Sequence, residues 1–430
     1  MNWAIKRIKD IKSSKANAFA DGPFGSNLKT EHFVENGDVL VIDSGYITSG
    51  NFAIHREFKT ISFEHFLTVK RSECKDGDLI IAKIGANFGM SAILPKLDKP
   101  SLVSGNTLKL TINDRLYFNK FIHYQFLNKK TLGEIDVLVK GSAQPALSMG
   151  LLNDIEFILP NNLQEQQAIA NYLDAKTQAI DKKISLLEQK IETYKQLKRT
   201  LINQTITKGL DKNVPLKNSG ISWIGQIPQH WEVKRFKDVL YLFTGNSISD
   251  KNGFDYIENS IPYVSTKDID FNTNEINYEN GMYIPKSDKV FKRAKKGTCL
   301  ICIEGANAGK KYGILNQEVA FVNKLAALKF KANRNFDKYL YHYIQSIAFS
   351  GEFFPLINGL IGGVSVNKLK EFNIILPPIS EQEEIAKYLD HKTATIDAIV
   401  SNIGKQIETL KQLRKTLIND VVTGKIKVIE

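Results

Sequence analysis

EQQAIANYLDAKTQAIDKKISLLEQKIETYKQLKRTLIN (Glu165–Asn203) returns as EQEEIAKYLDHKTATIDAIVSNIGKQIETLKQLRKTLIN (Glu381–Asn419). About 22 of the 39 positions are identical without a gap, so the chain is one unit written twice. Ile180, Ile184, Leu187, Ile191 and Tyr194 follow a 4-3-4-3 spacing, continued by Leu197 and Leu201. The second copy carries Ile396, Val400, Ile403 and Ile407, then Leu410, Leu413 and Leu417. Apolar positions at this period, with polar residues elsewhere, predict two long amphipathic helices with a coiled-coil seam. Leu-Pro precedes each helix, at Leu159–Pro160 and Leu376–Pro377. Glu165 and Glu381 stand in the first turns, where negative charge is favoured. Neither helix can bury its seam alone. The simplest partner is the other copy in the same chain; a homodimeric coiled coil is the alternative.

Working outward, the stretches before the helices also correspond. Trp3, Lys6 and Arg7 match Trp231, Lys234 and Arg235. GDLIIAKIGANFG (Gly77–Gly89) matches GTCLICIEGANAG (Gly297–Gly309), and FNKFIHYQFLN (Phe118–Asn128) matches FDKYLYHYIQS (Phe336–Ser346). The helices are nearly alike, while the domains before them share only a skeleton. Similar helices suit one structural job or a common partner; divergent domains suit two different targets. The Gly-, Pro- and Asn-containing segment Lys208–Phe236 reads as an extended connection that carries the chain back along the helices, so that they run antiparallel. The resulting pseudo-two-fold suits two DNA half-sites read on opposite strands, with the helices setting their spacing.

The 430 residues carry a formal net charge of +12, which points to a polyanionic partner, nucleic acid before an anionic membrane surface. No apolar run approaches the roughly 20 residues of a membrane span, and MNWAIKRIKDIKSS lacks the apolar core of a secretory signal. A cytoplasmic protein without membrane association is expected. Cys74, Cys299 and Cys302 are too few for a disulfide framework. Cys299 and Cys302 form C-x-x-C, but within the strand-like run TCLICIEG they would face opposite sides, which opposes a metal or redox site.

The candidate contact residues lie on loops. DGPFGSNLK (Asp21–Lys29) offers Ser26, Asn27 and Lys29, and TGNSIS (Thr244–Ser249) offers Asn246 and Ser247 at a similar place in the second domain. VKGSAQPALS (Val139–Ser148) exposes Lys140, Ser142 and Gln144; Gln144 has the amide that pairs with adenine. The GANxG turns either present Asn87 and Asn307 to DNA or are tight turns in which Asn serves the backbone. FKRAKK places Lys292 and Arg293 in a basic cluster that suits phosphates or a solvated face. GANAGKK, with Lys310 and Lys311, is one residue short of a phosphate loop and lacks its hydroxyl. Nor does the sequence contain an amino-methyltransferase tetrapeptide or a glycine-rich cofactor fingerprint.

Three motifs carry a family resemblance: DGPFGSNLK, the doubled ILP…EQ…IA-x-YLD…KT…ID helix, and SGISWIGQIPQHWEVKRF (Ser219–Phe236). Over essentially its full length the chain resembles the specificity subunits of type I restriction–modification enzymes. The resemblance implies an α/β (α+β) fold of two mixed α/β target recognition domains. Two long helices forming an antiparallel coiled coil separate them in an internal pseudo-two-fold repeat. The expected boundaries are a first recognition domain over 1–160, a helical spacer over 161–209, a linker over 210–230, a second domain over 231–377 and a helical spacer over 378–430. The resemblance also implies double-stranded DNA, two modification (methyltransferase) subunits and restriction translocase subunits as partners. No cofactor is expected on this chain; S-adenosylmethionine, ATP and Mg would belong to those partners. Two alternatives to this non-catalytic adaptor remain open: a coiled-coil scaffold with no DNA role, and a self-contained DNA methyltransferase or nuclease.

Overall fold

The computed structural model describes residues 3–54, 57–139, 146–248, 258–332, 337–357 and 362–428. The chain divides into two compact units, Met1–Leu187 with Lys405–Glu430, and Glu188–Gly404. Both long helices contribute to each: the first runs over Leu163–Lys208 and the second over Ile379–Val422.

The first unit is built in layers. A four-stranded sheet is ordered Ser91–Ile93, Leu79–Ala82, Thr107–Leu110, Phe19–Asp21. Because side chains alternate along a strand, Leu79 and Ile81 meet the helix Asn119–Thr131 on one face. Ile80 and Ala82 face a second sheet, packing with Leu40, Ile42 and Val103. That sheet is ordered Phe33–Val34, Lys59–Ile61, Val39–Ile42, Ser101–Val103, Glu73–Cys74. Its pairing of Ser101–Val103 with Val39–Ile42 is parallel.

The second unit repeats the plan. Leu240–Thr244, Leu325–Phe330, Cys299–Cys302 and Tyr312–Ile314 form one sheet; Tyr283–Pro285, Ser260–Val264, Val319–Phe321 and Arg293–Ala294 form the other, with Ser260–Val264 and Val319–Phe321 parallel. Cys299 packs with Ile301 toward the helix side, and Cys302 packs with Leu300 toward the other sheet. The C-x-x-C pair therefore straddles a strand, as alternation requires. All three thiols are free and buried, and burial pushes the Cys74 thiol up to about 12.

Each unit joins its domain to the long helices in the same way. Trp3–Arg7 pairs antiparallel with Glu156–Pro160, and Glu232–Arg235 pairs with Asn373–Leu376. The Trp3 indole donates to Glu165 at 3.1 Å, and the fully buried Trp231 indole donates to Glu381 at 2.9 Å. Gln166 donates to Pro160 O and Gln382 to Pro377 O, both at 2.9 Å. The repeated Glu-Gln thus closes the start of each helix onto the strand before it.

Within each unit the helix segments run antiparallel. In the first, Asp181 pairs with Arg414 at 3.0 Å, while Ile169 and Leu173 share a core with Ile418 and Val422. In the second, Lys198 pairs with Asp397 at 2.7 Å, while Ile202 and Ile206 pack with Ile385 and Leu389. Ile396, Ile403 and Ile407 are buried, and Ile180, Ile184, Leu187, Ile191, Tyr194 and Val400 are half-buried. The expected continuation through Leu197 and Leu413 is corrected: these side chains are 50% and 52% exposed. After Tyr194 or Leu410 the 4-3 spacing calls for a step of four, which lands on Lys198 and Arg414. Their partly covered stems line the seam and their charges meet Asp397 and Asp181.

The segment Lys208–Phe236 after the first long helix is also corrected. It does not travel along the helices: Leu216–Asn218 pairs with Gln226–Pro228 as a hairpin, and Gly209 lies against the Trp231 ring. Buried Ile221 and Ile227, with left-handed Gly220 and Gly225 between the hairpin strands, fold the segment back onto the second unit. The second helix reverses direction because its domain turns it around.

The helix Asn119–Thr131 carries a buried His123 whose Nδ1 lies 3.0 Å from Ser91 Oγ. Burial pushes this imidazole down to about 4. Its folded pKa is below the unfolded one, so the unfolded chain binds more protons between those values. Its stabilising contribution is present above about pH 6.5 and is lost as pH falls toward 4. Thermal unfolding of the chain between pH 7 and pH 4 should show a shallower loss for His123→Gln than for the parent. The difference at pH 4 should approach about 3 kcal/mol, and parallel profiles would refute it.

Candidate nucleic-acid interface

In each unit the candidate loops gather where the parallel strand pair ends, the position at which open α/β sheets commonly bind ligands. Ser104 N–H donates to Ile42 O at 2.8 Å, joining the ends of the parallel strands. Gly22 passes directly over that junction: a Cβ there would stand 2.0 Å from the Ser104 backbone. Only glycine fits, which explains the Gly of DGPFGSNLK. In the second unit Val322 N–H donates to Val264 O at 2.9 Å, and Gly245 crosses at the same place, its Cβ position 1.7 Å from Phe321 O. Two loops of otherwise divergent sequence thus meet the same steric demand with glycine.

Asp21 anchors the first loop. This buried carboxylate pairs with Arg71 and lies 3.7 Å from Lys83 Nζ, while its carbonyl accepts from Ser72 Oγ at 2.8 Å. Arg71 and Lys83 are remote from Asp21 in sequence, and nothing local marked them. Beyond Asp21, Phe24 O accepts from Asn27 N–H at 2.7 Å, and Asn27 O lies 3.0 Å from His65 Nε2. Ser26 and Asn27 side chains are 3.5 Å apart, and Lys29 reaches Glu31 at 3.3 Å. All three remain on the loop surface.

The GANxG turns lie beside these loops. Gly85, Gly89, Gly305 and Gly309 all have φ between 72° and 90°, and the Asn87 side chain donates to Ser44 O at 3.1 Å. In the first unit this favours the tight-turn reading over base contact, since the Asn87 amide ties two loops together. Asn307 is exposed. Lys310 donates to Ala306 O at 3.2 Å and Lys311 to Thr266 O at 3.1 Å. The turn leads into the strand Tyr312–Ile314, so it lacks the helix N-terminus on which a phosphate loop depends. A cleft of about 490 Å³ in the second unit, lined by His230, Lys234, Lys331 and Gln382, does not include it.

Two further candidates meet in the second unit: Asn246 Oδ1 accepts from Lys292 N–H at 2.9 Å. Arg293 is turned inward, donating to Lys286 O and Asp288 O at 2.6 Å each, while Lys292 and Ser247 are exposed. Exposed Lys267 and Lys324 join this end, although the sequence reading passed over both. Lys140, Ser142 and Gln144 lie outside the described residues. The segment following them reaches the same place, since Leu147 N–H donates to Lys83 O at 3.0 Å. Among the described residues no group of three or more His, Cys, Asp or Glu side chains is placed to hold a metal ion, and no helix is long and apolar enough to cross a membrane.

Loop surfaces that carry lysines, at the same sheet end of two units built on one plan, define a two-headed chain with unlike heads. Residues 2–193 and 228–409 match the family described as the type I restriction modification DNA specificity domain, and the chain belongs to that family. It is 23% identical over 372 residues to the type I restriction enzyme MjaVIII specificity subunit of Methanocaldococcus jannaschii, covering 84% of this chain and 82% of that one. The MjaIX specificity subunit of the same organism is 24% identical over 455 residues, covering 100% and 94%. Among solved structures, a chain from a study of complex assembly and conformational transition of the type I R-M system has a TM-score of 0.72 at 16% identity, covering 98% of this chain and 97% of that one. The HsdS subunit of Thermoanaerobacter tengcongensis has a TM-score of 0.55 at 18% identity, covering 99% and 97%. These likenesses agree with two mixed α/β domains joined by long helices.

The glycine crossings give a direct test. Gly22→Ala should lower the melting temperature by several degrees, from a clash of about 1–3 kcal/mol. Gly25→Ala, with no atom within 4 Å of its Cβ position, should leave it unchanged. Equal melting temperatures would remove the close approach from the account.

Proposed function

We propose that this chain is a non-catalytic specificity subunit that reads a split DNA sequence, one half with each unit. The observation carrying the reading is the convergence of divergent loops at the same sheet end in both units of a chain of this family. Phosphate contacts come from the lysines there, and base contacts from the differing loop side chains. Different loops imply different half-sites. The long helices set the distance between half-sites and dock two modification subunits; restriction translocase subunits complete the nuclease. S-adenosylmethionine, ATP and Mg belong to those partners, and the cytoplasm is where such a complex meets its DNA.

Co-expression with a cognate modification subunit, followed by sequencing of methylated adenines, should reveal one split motif with two unlike halves. Exchange of residues 231–377 for the corresponding domain of another specificity chain should change one half only. A motif that is continuous, or that changes in both halves, would contradict the division of labour.

Inserting seven residues into each long helix keeps the seam facing inward and adds about 10 Å. The gap between half-sites should then lengthen by about three base pairs, with both halves unchanged. An unaltered gap would show that the helices do not set it. Duplex binding by the assembled complex should weaken steeply between 50 and 200 mM salt, on the order of 10³-fold for six phosphate contacts. A scaffold without a DNA role would show no such binding.

A further inference from the structure

We infer that Phe24 is an aromatic wedge that stacks on a base of the half-site read by the first unit. The inference rests on the DNA-reading function proposed above and adds a specific contact to it. Phe24 is 59% exposed at the tip of DGPFGSNLK, an unusual place for a phenyl ring on a loop rich in polar residues.

The ring stands on a stiff base. Gly22 is pressed against the Ser104 backbone, Pro23 fixes the next φ, and the Phe24–Asn27 hydrogen bond closes the turn. One side of the ring is occupied: Lys83 Nζ lies 4.6 Å from its centroid. Lys83 is itself held by Asp21, and its side chain is only 14% exposed. A cation against one face of a ring is attracted by the ring's quadrupole and restrains it. The ring is nonetheless 59% exposed, on a loop surface that also carries exposed Arg71 and Lys29.

This arrangement has the chemistry of a nucleobase platform. A base offers a flat π-face and brings phosphates that the surrounding cations neutralise, and apolar wedges inserted at a base step unstack it. An aliphatic protein surface would gain nothing from cations around the ring. The described residues of the second unit's crossing differ. Ser247 stands where Phe24 does after the crossing glycine, and Ile303 replaces Lys83 in the matched GDLIIAKIGANFG and GTCLICIEGANAG segments. The stacking inferred here is assigned to the first half-site.

The test uses the assembled modification complex and duplexes carrying its methylation-mapped target, with 2-aminopurine placed singly at each first-half position. Apart from the adenine that the modification subunit extrudes for methylation, the wild-type complex should raise 2-aminopurine fluorescence at one further step. Phe24→Ala should abolish that rise and weaken specific binding about 10- to 100-fold, while Phe24→Trp retains both. Mismatches in the second half-site should cost the same in all three complexes. An unchanged melting temperature for Phe24→Ala, expected for an exposed ring, excludes misfolding as the cause. If wild type binds its target and Phe24→Ala matches it in affinity and fluorescence, the stacking is refuted while the function stands. If Phe24→Ala instead loses a modification subunit at unchanged DNA affinity, the ring faces protein and the inference falls. Failure of the wild-type complex to bind duplex would overturn both.

Discussion

The hydrogen bond from each indole to the first glutamate of a long helix is the point on which the architecture turns. Trp231 is fully buried, so its N–H must find an acceptor inside the protein; an unmet buried donor costs about 1–3 kcal/mol. Glu381 supplies it, and Glu381 belongs to the helix that leaves the domain. One bond therefore joins the start of the domain to its departing helix. The neighbouring Gln382 satisfies Pro377 O at the bend, so the chain enters the helix at a defined angle. Trp3, Glu165 and Gln166 repeat the arrangement in the first unit.

The same logic extends to the flank of each domain helix, with different chemistry on one common acceptor. Asp174 receives Lys120 at 2.5 Å and the Tyr124 hydroxyl at 2.8 Å. Asp390, its repeat counterpart, receives Lys338 and the His342 ring, the latter at 2.8 Å. The long-helix residue is kept and the domain residue changes from a phenol to an imidazole. Divergence is tolerated wherever another donor reaches the same carboxylate. The loops at the strand crossing escape even that limit, needing only a glycine there.

What the sequence revealed and what it concealed follow from the range of the interactions concerned. The repeat, the helices and the opposed faces of Cys299 and Cys302 depend on local periodicity, which a linear string displays. Lys198 and Leu197 are adjacent, and the choice between them depends on Asp397 across the seam. The hairpin at Leu216–Pro228 depends on Ile221 and Ile227 finding the second unit's interior, which no turn signal announces. Asn87 was read equally well as a contact or a turn residue, and its acceptor, Ser44 O, is 43 residues away. Arg71 and Lys83 were missed because the carboxylate that gives them a common place is assembled only by folding.

The burial of every sulfhydryl has a practical corollary. A thiol reacts through its thiolate, and Cys74, with its ionisation displaced to about 12, holds almost none at neutral pH. Cys299 and Cys302 are likewise displaced upward by burial. Burial and the upward shift together disfavour maleimide attack on all three thiols. A single cysteine placed on an exposed loop would become a unique attachment point for a fluorophore or spin label, with no need to strip the natural residues from the core.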